Sequence, residues 1–457
     1  MKTHVVARTF ALGHVWLLTA IALAAAPSVA EGSSMFRLAG PPEQIGTTWG
    51  EINKDIIVRD MNATYLSKAA EAGISRETLI ERSALFVQIA KQVAPHWLEE
   101  AAATARAAGV DEDLYIAFTD GQSRNRFLHE DAANDPIVEC TSYAVSRDHA
   151  RGGAILFHKT RDNIDRPQMV PIVDSSLEGV NKFIAVTDGS RIRCSMMVND
   201  KGLAGSGDYP AHRKKDSSTL ELEPAEPQYR GIMGGGILRH IAERASNCAD
   251  ALAIIEEFVA KRYYSGGDVN GGHWLFVDRE GTILEVCNNA RHVVSKIHTQ
   301  KVYLSRLNKS AAARRLREST EPIDFRLFHS VSRDPSICFD SSISGMTVEI
   351  HPDHPELLTC AWLALPARVA AFPLLMGQSG TPECLIDGSA YALGKKSARH
   401  TTQWEAMEQT MHAKKENLQK ELTDSITAGK PSHVYAERLD QWSGEQAALL
   451  VKALGRP

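Results

Sequence analysis

Apolar residues in the first third of the chain recur at helical spacing. Leu79, Ala84, Leu85, Ile89 and Val93 fall near one face, and Pro95 interrupts the pattern. A second amphipathic run follows from His96 to Ala108, and Gly109 supplies its C-cap. Polar and charged residues over 121–136 read as an exposed connector. At Cys140 the period changes. Short β-rich segments follow at 141–146, 153–158, 182–187 and 192–198. A loop opened by Tyr209 carries Pro210, Arg213 and Pro227. Two helices come next, over 235–245 and 248–261, the second with Asn247 as its N-cap. Strands resume at 274–278, 283–287, 301–305, 346–350 and 358–363. The tail over 401–454 is polar and helical, with Glu, Lys and Gln facing solvent. This order predicts an α+β fold with sheets packed under helices, not a doubly wound sheet of alternating units. The run Gly234-Gly235-Gly236 opens a helix but follows no strand and lacks a Lys-Ser/Thr ending, so it reads as a flexible helix entry and not a phosphate loop.

The N-terminus adds an address. Lys2 and Arg8 precede an apolar run from Val15 through Leu23 to Ala26, and Pro27, Ser28, Val29 and Ala30 supply a breaker and small residues before Glu31. That is the layout of a secretory signal peptide over 1–30. The run is short of the roughly 20 residues that span a bilayer. Cleavage and release are therefore expected, with an exported product, periplasmic or secreted, and no stable membrane insertion. The remainder divides into a helical pro-segment (31–139), a catalytic domain (140–380) and a polar helical extension (381–457).

Composition excludes little. With 43% apolar and 23% charged residues the chain can bury a sizeable core. A net charge of −5 and the absence of a basic stripe interleaved with aromatics argue against a nucleic-acid partner. The seven cysteines contain no CxxC pair, so neither a zinc nor a dithiol motif is indicated. An odd count leaves at least one thiol unpaired within the chain; up to three disulfides or simple burial as free thiols both remain open.

The candidate chemistry centres on Glu139-Cys140-Thr141-Ser142-Tyr143, where a cysteine joins the connector to the first strand. After a turn at Gly152-Gly153 the next strand runs into His158-Lys159-Thr160-Arg161-Asp162-Asn163. A hairpin of this length returns its far end to Cys140, bringing a cation and a carboxylate to the thiol. A cation lowers a thiol pKa, and a carboxylate can orient an amine. Other candidates read as structure. His351-Pro352-Asp353-His354 is a loop without a third metal ligand. Ser206 lacks a nucleophile-elbow frame. Asp278 and Glu285 flank a Gly281 turn and read as hairpin surface. His273, after Gly271-Gly272, stays open, because a glycine pair lets a ligand approach the backbone.

The Cys140 hairpin, Val198-Asn199-Asp200-Lys201-Gly202-Leu203-Ala204, Trp274 to Gly281 with Glu285, Ser336-Ile337-Cys338, Met346-Thr347-Val348 and the helical His96 to Val110 segment carry a resemblance. From about Gly46 to Phe372 the chain resembles the acyl-CoA:isopenicillin N acyltransferase family and, more distantly, the choloylglycine hydrolases, both N-terminal-nucleophile (Ntn) hydrolases. The resemblance implies an αββα sandwich activated by self-cleavage between Glu139 and Cys140, with the freed α-amine serving as base for its own thiol. It implies that Asp162 holds that amine and that Lys159 stands where choloylglycine hydrolases carry an arginine. Asp208 falls near an asparagine that helps form an oxyanion hole. An ionised Asp208 would repel an oxyanion, leaving a protonated carboxyl, backbone N–H groups or a shifted register as alternatives. A further family asparagine falls on Asn308 or equally on Ser305. The expected activity is hydrolysis of an amide, or acyl transfer, through a Cys140 thioester on a small-molecule substrate, with no cofactor and no metal. The alternative is a secreted binding protein that kept the fold and lost the chemistry.

Overall fold

The computed structural model describes residues 33–120, 140–163, 165–208, 220–223, 225–226, 231–265, 272–396, 401–431 and 433–454. The signal segment, the whole connector with Glu139, the loop opened by Tyr209 through Arg213, Pro227 and Gly271 lie outside these residues. Among the described residues the strands form two sheets. The larger has the order β1 (Ser34–Gly40), β4 (Gln168–Ser175), β5 (Phe183–Asp188), β6 (Met196–Asn199), β7 (Ala204–Asp208), β8 (Gly272–Val277), β9 (Ile283–Asn288) and β10 (Val293–His298). The smaller has the order β11 (Val302–Leu304), β2 (Thr141–Val145), β3 (Ile155–Asp162), β12 (Ser342–Ile350), β13 (Cys360–Ala364) and β14 (Phe372–Leu375).

Alternation explains the layering. In the larger sheet, Val170, Ile172, Ile184, Val186, Met196, Val198, Leu275 and Val277 point to one face. There they share a core with Ala144, Met346 and Val348 of the smaller sheet. The opposite residues, including Met169, Phe183, Ala185, Met197, Phe276 and Leu284, face helices α1 (Pro42–Ile52), α2 (His96–Ala108), α3 (Gly234–Arg244) and α4 (Cys248–Ala260). Helices α5 (Thr401–Thr427) and α6 (His433–Leu454) complete the outer layer over the smaller sheet. The result is α+β, two sheets face to face between helical layers. No helix among the described residues is long and apolar enough to cross a membrane.

Two sequence expectations change here. The segment before Cys140 is not helical throughout, because β1 pairs in parallel with β4 over its whole length. The tail is not a polar appendage. Trp404, Met407, Met411, Leu418 and Leu422 form a narrow stripe on α5, and Leu439, Trp442 and Leu450 do the same on α6, all within the core. Polar residues outnumber that stripe and mask it. Even Lys415, on the stripe, is buried, with Nζ 2.5 Å from Glu349 of β12.

Helices α1 and α2 meet through glycine. A Cβ on Gly46 would lie 2.2 Å from the Glu100 carbonyl oxygen, and Thr104 Oγ1 donates to the Gly46 carbonyl at 3.0 Å. Gly46→Ala must push the helices apart. We expect a loss of about 1–3 kcal/mol in urea unfolding; an unchanged midpoint would show that the contact is not tight.

Candidate active site

Cys140 stands immediately before β2 and is half-buried. Thr141 pairs with Thr160 and Ser142 with Lys159. One further step of the same register sets Cys140 against Arg161, and Asp162 lies one residue beyond. The thiol and the guanidinium interact electrostatically. Arg161 is itself held by Asp188 of β5, with Nη1 2.8 Å from Oδ1, and by Gln168 of β4 at 2.9 Å. Burial alone would weaken its charge, but Asp188 outweighs burial and keeps Arg161 protonated. The sequence contained this cation, but placing it against the thiol required the strand register.

Asp162 closes β3. Ser342 donates to its Oδ1, whereas Oδ2 is buried and has no hydrogen-bond partner. Burial, only partly offset by Ser342 and Lys159, pushes this carboxyl up to about 6. An acceptor atom without a donor, one residue past the partner position of Cys140, can receive an amine.

Lys159 and Asp208 come together, in a different arrangement from the one the resemblance implied. Alternation points Lys159 and Ser142 between the sheets, where the Lys159 ammonium pairs with Asp208 and donates to the Gly207 carbonyl at 2.9 Å. Both side chains are essentially inaccessible. Ser142 Oγ lies 2.7 Å from Ser206 Oγ and donates to Asp208 Oδ1 at 3.0 Å. Burial raises the Asp208 carboxyl, but Lys159 and then His273 outweigh it and hold it below its ordinary value. The pairing with Lys159 favours the ionised form of Asp208 over the protonated-carboxyl alternative.

The choice between Asn308 and Ser305 also resolves geometrically. Ser305 follows β11 and is buried, accepting from Ser142 N at 2.9 Å and donating its own N–H to the Ser142 carbonyl at 2.8 Å. Asn308 lies beyond Leu307, whose φ is 56°, and its Oδ1 accepts from Arg317 at 2.6 Å in an exposed setting. The residue against the nucleophile strand is Ser305, not Asn308.

Glu285 is a second correction. It is not hairpin surface but fully buried, because the second sheet covers its face. His273 Nε2 lies 2.9 Å from one oxygen and His298 Nε2 2.8 Å from the other. Burial would raise Glu285, but these hydrogen bonds hold it at about 2. Asp278 is also buried, accepting from Cys248 N at 3.1 Å. His351 and His354 share a loop in which His354 N donates to His351 Nδ1 at 3.0 Å. All seven cysteines are unpaired, and only Cys140 and Cys384 are partly accessible.

No protein-family model and no curated protein matches the chain. Among solved structures it is similar to penicillin V acylase from Agrobacterium tumefaciens, at 10% identity over 53% of this chain and 90% of that one, with a TM-score of 0.36. It is similar to a variant of the conjugated bile acid hydrolase of Clostridium perfringens, at 12% identity over 55% and 94%, with a TM-score of 0.35. It is also similar to the Caenorhabditis elegans ortholog of N-acylethanolamine-hydrolyzing acid amidase, at 10% identity over 47% and 95%, with a TM-score of 0.33.

Proposed function

We propose that the chain is an exported amide hydrolase of the Ntn type, with Cys140 as nucleophile after the bond between Glu139 and Cys140 is cut. The observation that carries this reading is the pair of positions at the end of the hairpin. A half-buried thiol lies within electrostatic reach of Arg161, and a buried, unpartnered oxygen belongs to the next residue, Asp162.

In this mechanism the new α-amine of Cys140 hydrogen-bonds to Asp162 Oδ2 and takes the thiol proton. Sulfur attacks the substrate carbonyl. The tetrahedral intermediate collapses as the amine returns the proton to the leaving nitrogen, and a thioester remains. Water then adds to that thioester, giving up its proton to the same amine and releasing the carboxylic acid and the free thiol. Arg161 supplies positive potential for the thiolate. Lys159 neutralises Asp208, so that no uncompensated anion lies behind the developing oxyanion. Hydrolysis is preferred to acyl transfer because water is the abundant acceptor outside the cytoplasm.

Two measurements test the reading. Recovered protein should begin at Glu31, the residue after the Ser28-Val29-Ala30 site; Met1 on exported material would refute export with cleavage. A thiol-reactive amide analogue should label Cys140 and spare the half-exposed Cys384 in peptide mass mapping. Equal labelling of both would mean accessibility without activation and would favour the binding-protein alternative.

A further inference from the structure

The face of the larger sheet that meets the smaller one carries a second group of reactive side chains, unused in the chemistry above. His273 on β8 and Cys287 on β9 are direct register partners, and Glu285 lies two residues before Cys287 on the same face. One donor atom from each of the three lies within 4.8 Å of the other two. Their exposures are 1%, 2% and 0% for His273, Cys287 and Glu285. The hydroxyl of Tyr303 lies 3.4 Å from His273 Nε2, and His298 approaches the far oxygen of Glu285.

Two neighbouring atoms lack partners. His273 Nδ1 is buried without a hydrogen bond, and so is Asp208 Oδ2, on the residue paired with His273 across β7 and β8. Such atoms are costly to leave unmet, and a proton on Nδ1 would place a donor beside the register partner that lacks one. In the neutral tautomer that donates from Nε2 to Glu285, Nδ1 is a lone pair and has nothing to offer a carboxylate. A metal on Nε2 would require the ring proton on Nδ1, creating the donor that the adjacent strand lacks. Metal-bound histidines ordinarily give their other N–H to a carboxylate or carbonyl in this way.

We propose that His273, Glu285 and Cys287 form a site for a tetrahedral divalent transition metal, with zinc the best match and Asp208 as the outer acceptor. Imidazole, carboxylate and thiolate together suit zinc and do not suit the oxygen-seeking magnesium or calcium. Binding replaces the thiol proton of Cys287, which is released to solvent. The histidine changes tautomer without losing a proton. Thiolate and carboxylate together balance the dication. The ion would tie β8 to β9 behind the Lys159–Asp208 pair. Three protein ligands leave the fourth tetrahedral position to a further donor such as water, and the site is independent of whether Cys140 is a nucleophile.

The test uses the full chain produced in medium supplemented with cobalt or with zinc, since so buried a site fills during folding. We expect about one metal ion per chain. The cobalt form should show a thiolate-to-cobalt charge-transfer band and the visible bands of tetrahedral cobalt. Cys287→Ser should lose the charge-transfer band, and His273→Gln should lower the metal content several-fold. Metal-free protein from supplemented medium overturns the proposal, as does a band unchanged in Cys287→Ser. If the variants do not fold, X-ray absorption of the wild-type zinc protein decides. One sulfur among nitrogen and oxygen ligands supports the site; no sulfur ligand, or more than one, overturns it.

Discussion

Asp162→Asn is expected to make the uncut protein more stable and the cut protein nearly inactive. The stability half follows from burial. This carboxyl moves from an ordinary 3.8 to about 6 in the fold, so the charged form is the disfavoured one. A group raised in this way contributes stability that is full below about 3.8 and is lost as pH rises through about 6. At about pH 8 the wild type therefore carries a buried, half-satisfied carboxylate worth on the order of 3 kcal/mol of destabilisation. Asparagine keeps an acceptor for Ser342 and removes the charge. In a Cys140→Ala background, which prevents self-cleavage, urea unfolding should show this gain at about pH 8 and almost none near pH 4. A gain independent of pH would mean that Asp162 is not the titrating group.

The activity half runs the other way. Once the α-amine of Cys140 is free, the charge that was a liability becomes its anchor. A neutral amide orients an amine poorly, and the loss should be on the order of 2–4 kcal/mol of transition-state stabilisation, about 30- to 1,000-fold in kcat/KM. The rate must be expressed per cut chain, so that slower maturation is not mistaken for slower turnover. An unchanged rate toward an amide cut by the wild type would remove Asp162 from the site.

Cys140→Ala is expected to abolish both maturation and turnover. Denaturing electrophoresis of the wild type should show two fragments, residues 31–139 and 140–457, without added protease, and the variant should run as a single band. The thiol can attack the preceding carbonyl if that carbonyl is held within reach, and water resolves the resulting ester-like intermediate. The carboxylate of Glu139 beside the scissile carbonyl should slow this step, so Glu139→Gly is expected to accelerate it. An intact, active wild type would leave a cysteine nucleophile in need of a base other than its own amine.

Much of this centre was legible because it is local. Cys140, the Gly152-Gly153 turn and the Lys159 to Asp162 run belong to one hairpin, and a hairpin largely sets its own register. The particular cation against the thiol was not legible. Choosing Arg161 over Lys159 needs the pairing to within one residue, and Lys159 is claimed by Asp208 from the other sheet. Nor could Ser305 be preferred to Asn308 before the left-handed turn at Leu307 was seen to divert the chain. Glu285 follows a glycine turn, a surface signal that a second covering sheet overrides. β4 was hidden by Pro171, which lacks an N–H for the ladder; no pairing to β5 is formed at Val170 or Pro171. The strands at 141–145 and 283–288 and the Asn247 cap, whose side chain accepts from Asp250 N at 2.9 Å, depended on neighbours close in sequence and matched the reading.

The parallel seating of Ser34–Gly40 along β4 gives backbone scission a particular meaning. A cut before Cys140 would change the chain's connectivity and leave its contacts in place. What had been one polypeptide would become a heterodimer whose smaller partner supplies an edge strand and, with α1 and α2, part of the helical cover of one sheet face. Its unfolding would then be a dissociation, with a melting temperature that rises with protein concentration, unlike that of the uncut precursor. Separately produced halves could in principle find each other, as the pieces of a split reporter do.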